Sequence, residues 1–163
     1  MTHNNFIIRE IKSEDNPKIA QAIRDILIEF GVPKVGTAYA DTILDTLFEA
    51  YEVEKAIYYV IEKDGEIYGG AGIKQLDNFD GNVCELQKMY FLPEARGIGF
   101  GSKMMEICLQ KARDFGFEQC YLETLPYMGD ARKLYRKVGF KDLEKPMGDT
   151  GHYSCNLWML KDL

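Results

Sequence analysis

The spacing of apolar residues changes period several times along the chain, and each change marks an element. FIIREI at 6–11 alternates as a short strand. Asn16-Pro17 supplies a cap and a first helical position, and Ile19, Ile23, Ile26, Leu27 and Phe30 then recur at helical spacing until Gly31 ends the run. Ile43, Leu44, Leu47, Phe48 and Tyr51 predict a second helix. AIYYVIEKDGEIYGGAGIKQL, 56–76, predicts a hairpin turning at Asp64-Gly65, and VCELQKMYFL, 83–92, a third meander strand. A helix over about 101–115 places Met105, Cys108, Leu109, Ala112 and Phe115 on one face. CYLETL, 120–125, is a strand, and Ala131, Leu134, Tyr135 and Val138 form a short amphipathic helix closed by Gly139. Two strands near 140–145 and 152–160 follow. The order β-α-α-β-β-β-α-β-α-β-β predicts a mixed α/β fold, with one mixed sheet of about six to seven strands and helices on both faces. No repeat or linker divides the chain, so one domain over 1–163 is expected.

Composition narrows the function. The net charge of -6 argues against a general nucleic-acid binder. No apolar run approaches a membrane span, and the first residues lack the apolar core of a signal peptide. Cys84, Cys108, Cys120 and Cys155 are widely spaced and three lie in apolar-patterned segments, which fits free thiols in a reducing, cytoplasmic setting. With two histidines in the chain, a histidine-rich metal site is not expected.

The chemistry is concentrated in YFLPEARGIGFGSKMMEICLQKARDFG, 90–116, where Gly97, Gly99 and Gly101 alternate just where a helix must begin. The first N–H groups of a helix lack internal partners, and the helix dipole makes that end positive. Glycines there let the backbone turn tightly and let a ligand oxygen approach, so the stretch predicts a pyrophosphate cradle with Arg96 at its rim. A P-loop is excluded, because the glycine required before Ser102-Lys103's counterpart is missing. A dinucleotide fingerprint fits poorly, although Glu123 lies at a suitable distance, because Pro93-Glu94-Ala95-Arg96 intervenes after the strand.

Arg96-x-x-Gly99-x-Gly101 resembles the acyl-CoA signature Q/R-x-x-G-x-G/A of the GNAT N-acetyltransferase superfamily. KMYFLPEARGIGFG is similar to that family's fourth strand and pyrophosphate loop, and ARKLYRKVGF, 131–140, to its A-x-x-L-Y-x-x-x-G-F segment. The resemblance covers nearly the whole chain, with its sharp motifs inside 85–140. It implies acetyl transfer from acetyl-CoA to an amine in a ternary complex, without a metal. It also implies strands four and five splayed to admit the donor. The backbone of Gly97, Ile98, Gly99, Phe100, Gly101 and Ser102 would hold the pyrophosphate, and that of Met89, Tyr90 and Phe91 would pair with the pantetheine. Ala131 opens the second motif; Lys103, Arg136 and Lys137 are further phosphate candidates. The chain departs from the family at Met128, where an asparagine is common.

Within that resemblance, Tyr135 matches the tyrosine assigned to protonate the leaving thiolate, and an N–H near Phe91 could face the developing oxyanion. Glu85, eleven residues before Arg96, is the base candidate, with a structural or substrate-binding carboxylate as the equal alternative. Strand alternation places Glu85, Gln87, Met89 and Phe91 on one face unless a bulge intervenes. His152 with Cys155 suggests a covalent route, against which a buried thiol is the simpler reading; Asp149 and His152 lie in a loop suited to lining an acceptor pocket. The partners expected are acetyl-CoA and a small-molecule or peptide amine, with no nucleic acid or membrane and a homodimer left open. A non-catalytic acyl-CoA-binding module and, less well supported, an NAD(P)-dependent oxidoreductase remain as alternatives.

Overall fold

The computed structural model describes residues 2–3, 5–32, 34–35, 38–124, 129–151 and 156–163. Its strands are β1 (Thr2–His3), β2 (Phe6–Glu10), β3 (Ile57–Lys63), β4 (Glu66–Gln75), β5 (Val83–Phe91), β6 (Gln119–Thr124), β7 (Lys141–Leu143) and β8 (Leu157–Asp162). Its α-helices are α1 (Asn16–Glu29), α2 (Leu47–Ala50), α3 (Phe100–Asp114) and α4 (Gly129–Lys137). The strands form one sheet in the order β1-β2-β3-β4-β5-β6-β8-β7, antiparallel except for the β5–β6 pair. That is one strand beyond the expected range. The addition is β1, whose two residues are too short to leave a periodic signal and which pairs with β2 through Thr2↔Ile7.

Local chemistry sets the central hairpin. Asp64 and Gly65 both carry positive φ, 51° and 81°, the backbone of a type I′ turn whose twist suits the flanking strands. On one face of the sheet, Ile19, Ile23 and Leu27 of α1 pack with Leu44, Leu47, Tyr58, Val60 and Ile67. On the other, Met104, Met105, Cys108, Leu109 and Ala112 of α3 pack with Ile61, Ile73, Cys84, Leu86 and Tyr135 of α4. Each fully buried valine, leucine, isoleucine or methionine side chain here contributes about 1.5–3 kcal/mol. A parallel β5–β6 pair requires a crossover, and α3 supplies it.

Two helix expectations need correction. Asn16 does not cap α1; it is the first residue of that helix, and its Oδ1 accepts from Phe48 N at 2.8 Å while its Nδ2 donates to Glu49 at 2.7 Å. It therefore ties α2 to α1. The expected second helix is a 3₁₀ segment, Thr42–Thr46, followed by the single turn of α2. Thr46 (φ -130°, ψ 42°) breaks the helical backbone, which leaves Ile43 41% exposed while Leu44, Leu47 and Tyr51 stay buried. β7 is shorter than the expected 140–145, and β8 runs two residues beyond 160, to Asp162, while positions 152–155 lie outside the described residues.

The third correction matters for the site. Gly70 pairs with Tyr90 and Gly72 with Gln87, so Lys88 and Met89 together oppose Ala71. This is a β-bulge, and Lys88 carries its positive φ of 51°. The bulge resets the alternation of β5. Met89 and Phe91 join Cys84 and Leu86 on the α3 face, whereas Glu85, Gln87 and Tyr90 belong to the α1–α2 face. The four residues expected on one face are thus split between two.

Candidate active site

The sheet forks where the bulge bends β5. Parallel pairing between β5 and β6 covers Val83↔Gln119, Cys84↔Cys120 and Glu85↔Tyr121. Beyond these, β5 stays with β4 as far as Phe91, and β6 stays with β8 as far as Thr124. A bulge increases local bend and twist, which accounts for strands that start side by side and then separate. The splay expected of the fourth and fifth strands lies here, between β5 and β6 once β1 is counted.

The unusual backbone of Lys88 is held from both ends. The Tyr58 hydroxyl donates to Lys88 O at 2.7 Å, and Lys88 Nζ lies 3.4 Å from Asp41 Oδ2 with only 6% of the lysine side chain exposed. Tyr58 reaches across β4 because that strand reads Gly69-Gly70-Ala71-Gly72. A Cβ at Gly70 would stand 2.6 Å from Tyr58 Cε1, and one at Gly72 2.6 Å from Tyr58 Cδ2. The glycines of β4 leave room for aromatic rings, whose hydroxyls then bond to the neighbouring strand.

At the open end of β5, the three glycines before α3 divide into two kinds. Gly97 and Gly99 have φ of 71° and 88°, and a Cβ on either would meet nothing within 4 Å. They are required by backbone conformation and border open space. Gly101 is required by packing, because its Cβ would lie 3.1 Å from Leu134 Cδ2 of α4. Gly99 is the N-cap of the 15-residue α3; it offers no side-chain cap, and the first turn holds no acidic residue. The N–H groups of that turn therefore face an open glycine loop with the positive end of the helix dipole behind them. This combination fits an anionic phosphate group.

The remaining candidates find varied places. Arg96 does not extend freely from the loop: its Nε donates to Phe91 O at 2.9 Å, and its other nitrogens form a two-pronged pair with Glu29 at 2.8 and 2.7 Å. It anchors the loop to the end of α1. Phe100 is buried against Phe6, so only its backbone faces the cradle; Ile98 and Ala131 pack on the core, and Ser102 is exposed. Lys103 pairs with Glu106 at 3.5 Å and Arg136 with Asp142 at 3.1 Å, while Lys137 is exposed. Asp149 accepts from Asn78 Nδ2 through its carbonyl and from Gly151 N through its carboxylate, holding the loop after β7 against the β4–β5 connection. Met128, His152 and Cys155 lie outside the described residues.

Tyr135 and Glu85 lie on opposite faces of the sheet, Glu85 at the last paired position before the fork. Tyr135, 7% exposed, stands edge-on to Phe140 with ring centroids 6.0 Å apart. Burial, with a smaller contribution from Cys120, pushes its hydroxyl up to about 12. Glu85, 4% exposed, accepts from Gln87 Nε2 at 2.7 Å, and Gln87 Oε1 accepts from the Tyr51 hydroxyl at 2.5 Å. On the same face, Glu123 of β6 accepts from Tyr121 at 2.8 Å and from Thr150. Sequence reasoning missed Tyr51, Lys88, Asp41 and Glu123 as members of this face. The glycine-rich β4 was the available signal, since small residues in a central strand imply that something large crosses it. It also missed Arg132 of α4, whose Nε is buried without a hydrogen-bond partner among the described residues.

The three described cysteines, Cys84, Cys108 and Cys120, are buried and free. Burial pushes the Cys108 thiol up to about 12, and the contact with Cys84 together with burial raises that of Cys120 well above the usual value. Such thiols are poor nucleophiles. Among the described residues no helix is long and apolar enough to cross a membrane, and no cluster of three potential metal ligands occurs.

Comparison with known proteins agrees with this geometry. The model of the acetyltransferase (GNAT) family matches residues 20–140. The uncharacterized N-acetyltransferase YjgM of Escherichia coli (strain K12) is 40% identical over 96% of this chain and 95% of its own length. A GNAT-family acetyltransferase from Staphylococcus aureus Mu50 superposes with a TM-score of 0.82 at 20% identity, covering 97% of this chain and 99% of that one. Salmonella typhimurium yncA, solved with its cofactor acetyl-CoA, does so with a TM-score of 0.76 at 20% identity, over 98% and 95% of the two chains. The two superpositions are likenesses of fold.

Proposed function

Since the chain belongs to the GNAT family of acetyltransferases, we propose that it transfers the acetyl group of acetyl-CoA directly to a primary amine, as one catalytic domain. The observation that supports this most is the fork itself. It opens between two strands beside an uncapped helix N-terminus, with a hydroxyl on one face and a buried carboxylate on the other. The N–H groups from Gly97 to Ser102 bind the donor's pyrophosphate, and the part of β5 beyond the fork, Met89, Tyr90 and Phe91, lies along its pantetheine arm. Arg132 Nε of α4, buried and without a hydrogen-bond partner among the described residues, is a further candidate donor. Acetyl-CoA supplies an activated acyl carbon and a thiolate leaving group.

Glu85 takes a proton from the acceptor ammonium, whose unperturbed pKa is about 10.4, so that a lone pair becomes available. The new C–N bond forms as the C–S bond breaks, and an N–H near Phe91 faces the oxygen that gains charge. Tyr135 donates a hydrogen bond to the departing sulfur. Its hydroxyl, pushed up to about 12, is a much weaker acid than an ordinary thiol at about 8.5. Complete proton transfer to sulfur would therefore run uphill by about 5 kcal/mol, at 1.36 kcal/mol per pKa unit. As the amide forms, the nitrogen loses a second proton to solvent; solvent supplies the thiol proton, Glu85 returns its own to solvent, and the net release is one proton per turnover of an ammonium acceptor. The raised thiols of Cys108 and Cys120 make those two residues poor carriers of an acetyl group, while Cys155 lies outside the described residues.

Thermal shift and a panel of amines assayed by release of CoA thiol test the proposal. A ligand at 100 times its Kd stabilises by about 2.7 kcal/mol, which for a chain of this size is a Tm rise of about 5–10 °C. Acetyl-CoA and CoA are expected to produce it, and NAD and NADP are not. Stabilisation by NAD alone would overturn the reading. Stabilisation by acetyl-CoA without turnover on any amine would leave a binding module.

A further inference from the structure

Glu85, Gln87 and Tyr51 form a hydrogen-bonded chain with a fixed direction. A carboxylate can only accept, so Gln87 must present its amide nitrogen to Glu85 and its oxygen to Tyr51, which must donate. Tyr51 lies just past α2 and is buried, which raises its hydroxyl well above the usual value and keeps it a proton donor. Its ring lies tilted against that of Tyr58 with centroids 5.3 Å apart, and it reaches β5 by passing over Gly72, the register partner of Gln87. A Cβ at Gly72 would stand 3.0 Å from Tyr51 Cε1. The glycine, the tyrosine and the glutamine are thus matched across three elements.

We propose that Gln87 is the positioning residue of Glu85, and that Tyr51 sets the direction of the Gln87 amide. This deepens the function proposed above and rests on Glu85 as proton acceptor. With its carbonyl held by Tyr51, Gln87 can offer Glu85 only an N–H. That donor favours the ionised carboxylate before proton uptake and disfavours the carboxylic acid afterwards, so the chain returns Glu85 to its working form. A reversed amide would set a carbonyl oxygen against the carboxylate.

Other charged and titratable groups share this face. Lys74 of β4 and Tyr121 of β6 are the register partners of Glu85. Glu123 lies two residues further along β6, Lys88 and its partner Asp41 stand beyond the bulge, and Asp149 lies in the loop after β7. The residues that α1 buries against the sheet are all apolar. These groups set the baseline of the pH profile, and replacing Gln87 by another neutral residue leaves their charges unchanged.

The test is kcat/KM against pH for Gln87→Met, Tyr51→Phe, the double variant and Glu85→Gln, with acetyl-CoA and one amine from the panel, each variant first checked by thermal melting. Gln87→Met is expected to move the acid limb up by about one pH unit, a loss of about tenfold on that limb. Tyr51→Phe keeps its ring and is expected to move the limb the same way by less, with no added effect in the Gln87→Met background. A uniform fall at every pH with the midpoint unmoved in both single variants would show a packing role and overturn the proposal. If Glu85→Gln abolishes the limb while Gln87→Met and Tyr51→Phe leave it in place, only the positioning role falls. If Glu85→Gln turns over like wild type, the base assignment falls and takes this proposal with it.

Discussion

Tyr135→Phe isolates one oxygen atom at the fork. The ring can keep its edge-on contact with Phe140 and its place in the α3–α4 core. No hydrogen bond from its hydroxyl occurs among the described residues, so the change strands no partner among them, and stability should fall by less than about 1 kcal/mol. The catalytic cost depends on what the hydroxyl does. A positioned acid that transfers its proton fully is worth about 10²–10⁴ in rate. A hydroxyl held near 12 by burial cannot do so cheaply and acts as a donor to a charged sulfur, worth about 1.5–3 kcal/mol, or about 10–100-fold. Steady-state kcat at saturating acetyl-CoA, with the Kd measured by calorimetry, is expected to show a 10–100-fold loss at nearly unchanged affinity. The loss should be constant up to about pH 10, because the hydroxyl stays protonated throughout. A wild-type kcat would remove Tyr135 from the chemistry. A loss above 10³-fold would refute the argument from the raised hydroxyl and restore full proton transfer. The same burial has a consequence for folding. The folded hydroxyl lies above its unfolded value of about 10, so the stability it contributes is complete below pH 10 and is lost as pH rises towards 12.

Two further perturbations bear on the cradle and on the α1 face. Gly99 and Gly116 share φ of 88° and open surroundings, one at each end of α3, so glutamate at either should cost a similar 1–2 kcal/mol of backbone strain. Only Gly99→Glu is expected to weaken CoA binding in calorimetry, through charge and bulk at the phosphate; equal affinity in the two variants would move the cradle elsewhere. Asp15 is nearly buried; burial alone would raise its carboxyl, but Arg9 at 2.8 Å and Lys12 N outweigh this and hold it below its ordinary 3.8. The stability it provides is present above that value and is lost as pH falls below it. Arg9→Met should cost about 3 kcal/mol at pH 7 in urea unfolding, with the difference shrinking below about pH 4; a deficit constant with pH would show that lost packing dominates.

The sequence by itself determined the elements whose signals are local. The Asp64-Gly65 turn, the apolar stripes of α1 and α3 and the glycine run before α3 could all be read from spacing, because each rests on neighbours within a few residues. It also showed that Tyr135 and Glu85 occur in suggestive positions. Tertiary structure decided how β5 is used. The bulge at Lys88 is stabilised by Tyr58 from β3 and Asp41 before α2, contacts that span 30 and 47 positions along the chain (88 - 58 and 88 - 41), and no local period encodes them. That bulge moves Met89 and Phe91 off the face of Glu85, opens the fork beyond Glu85↔Tyr121, and leaves Glu85 in reach of Gln87 and Tyr51. Arg96 makes the same point: the chain places a cation beside the glycines, but Glu29, 67 positions away, turns it into an anchor. Charges and hydroxyls act through whatever stands within about 3 Å of them, and only the folded chain decides what that is.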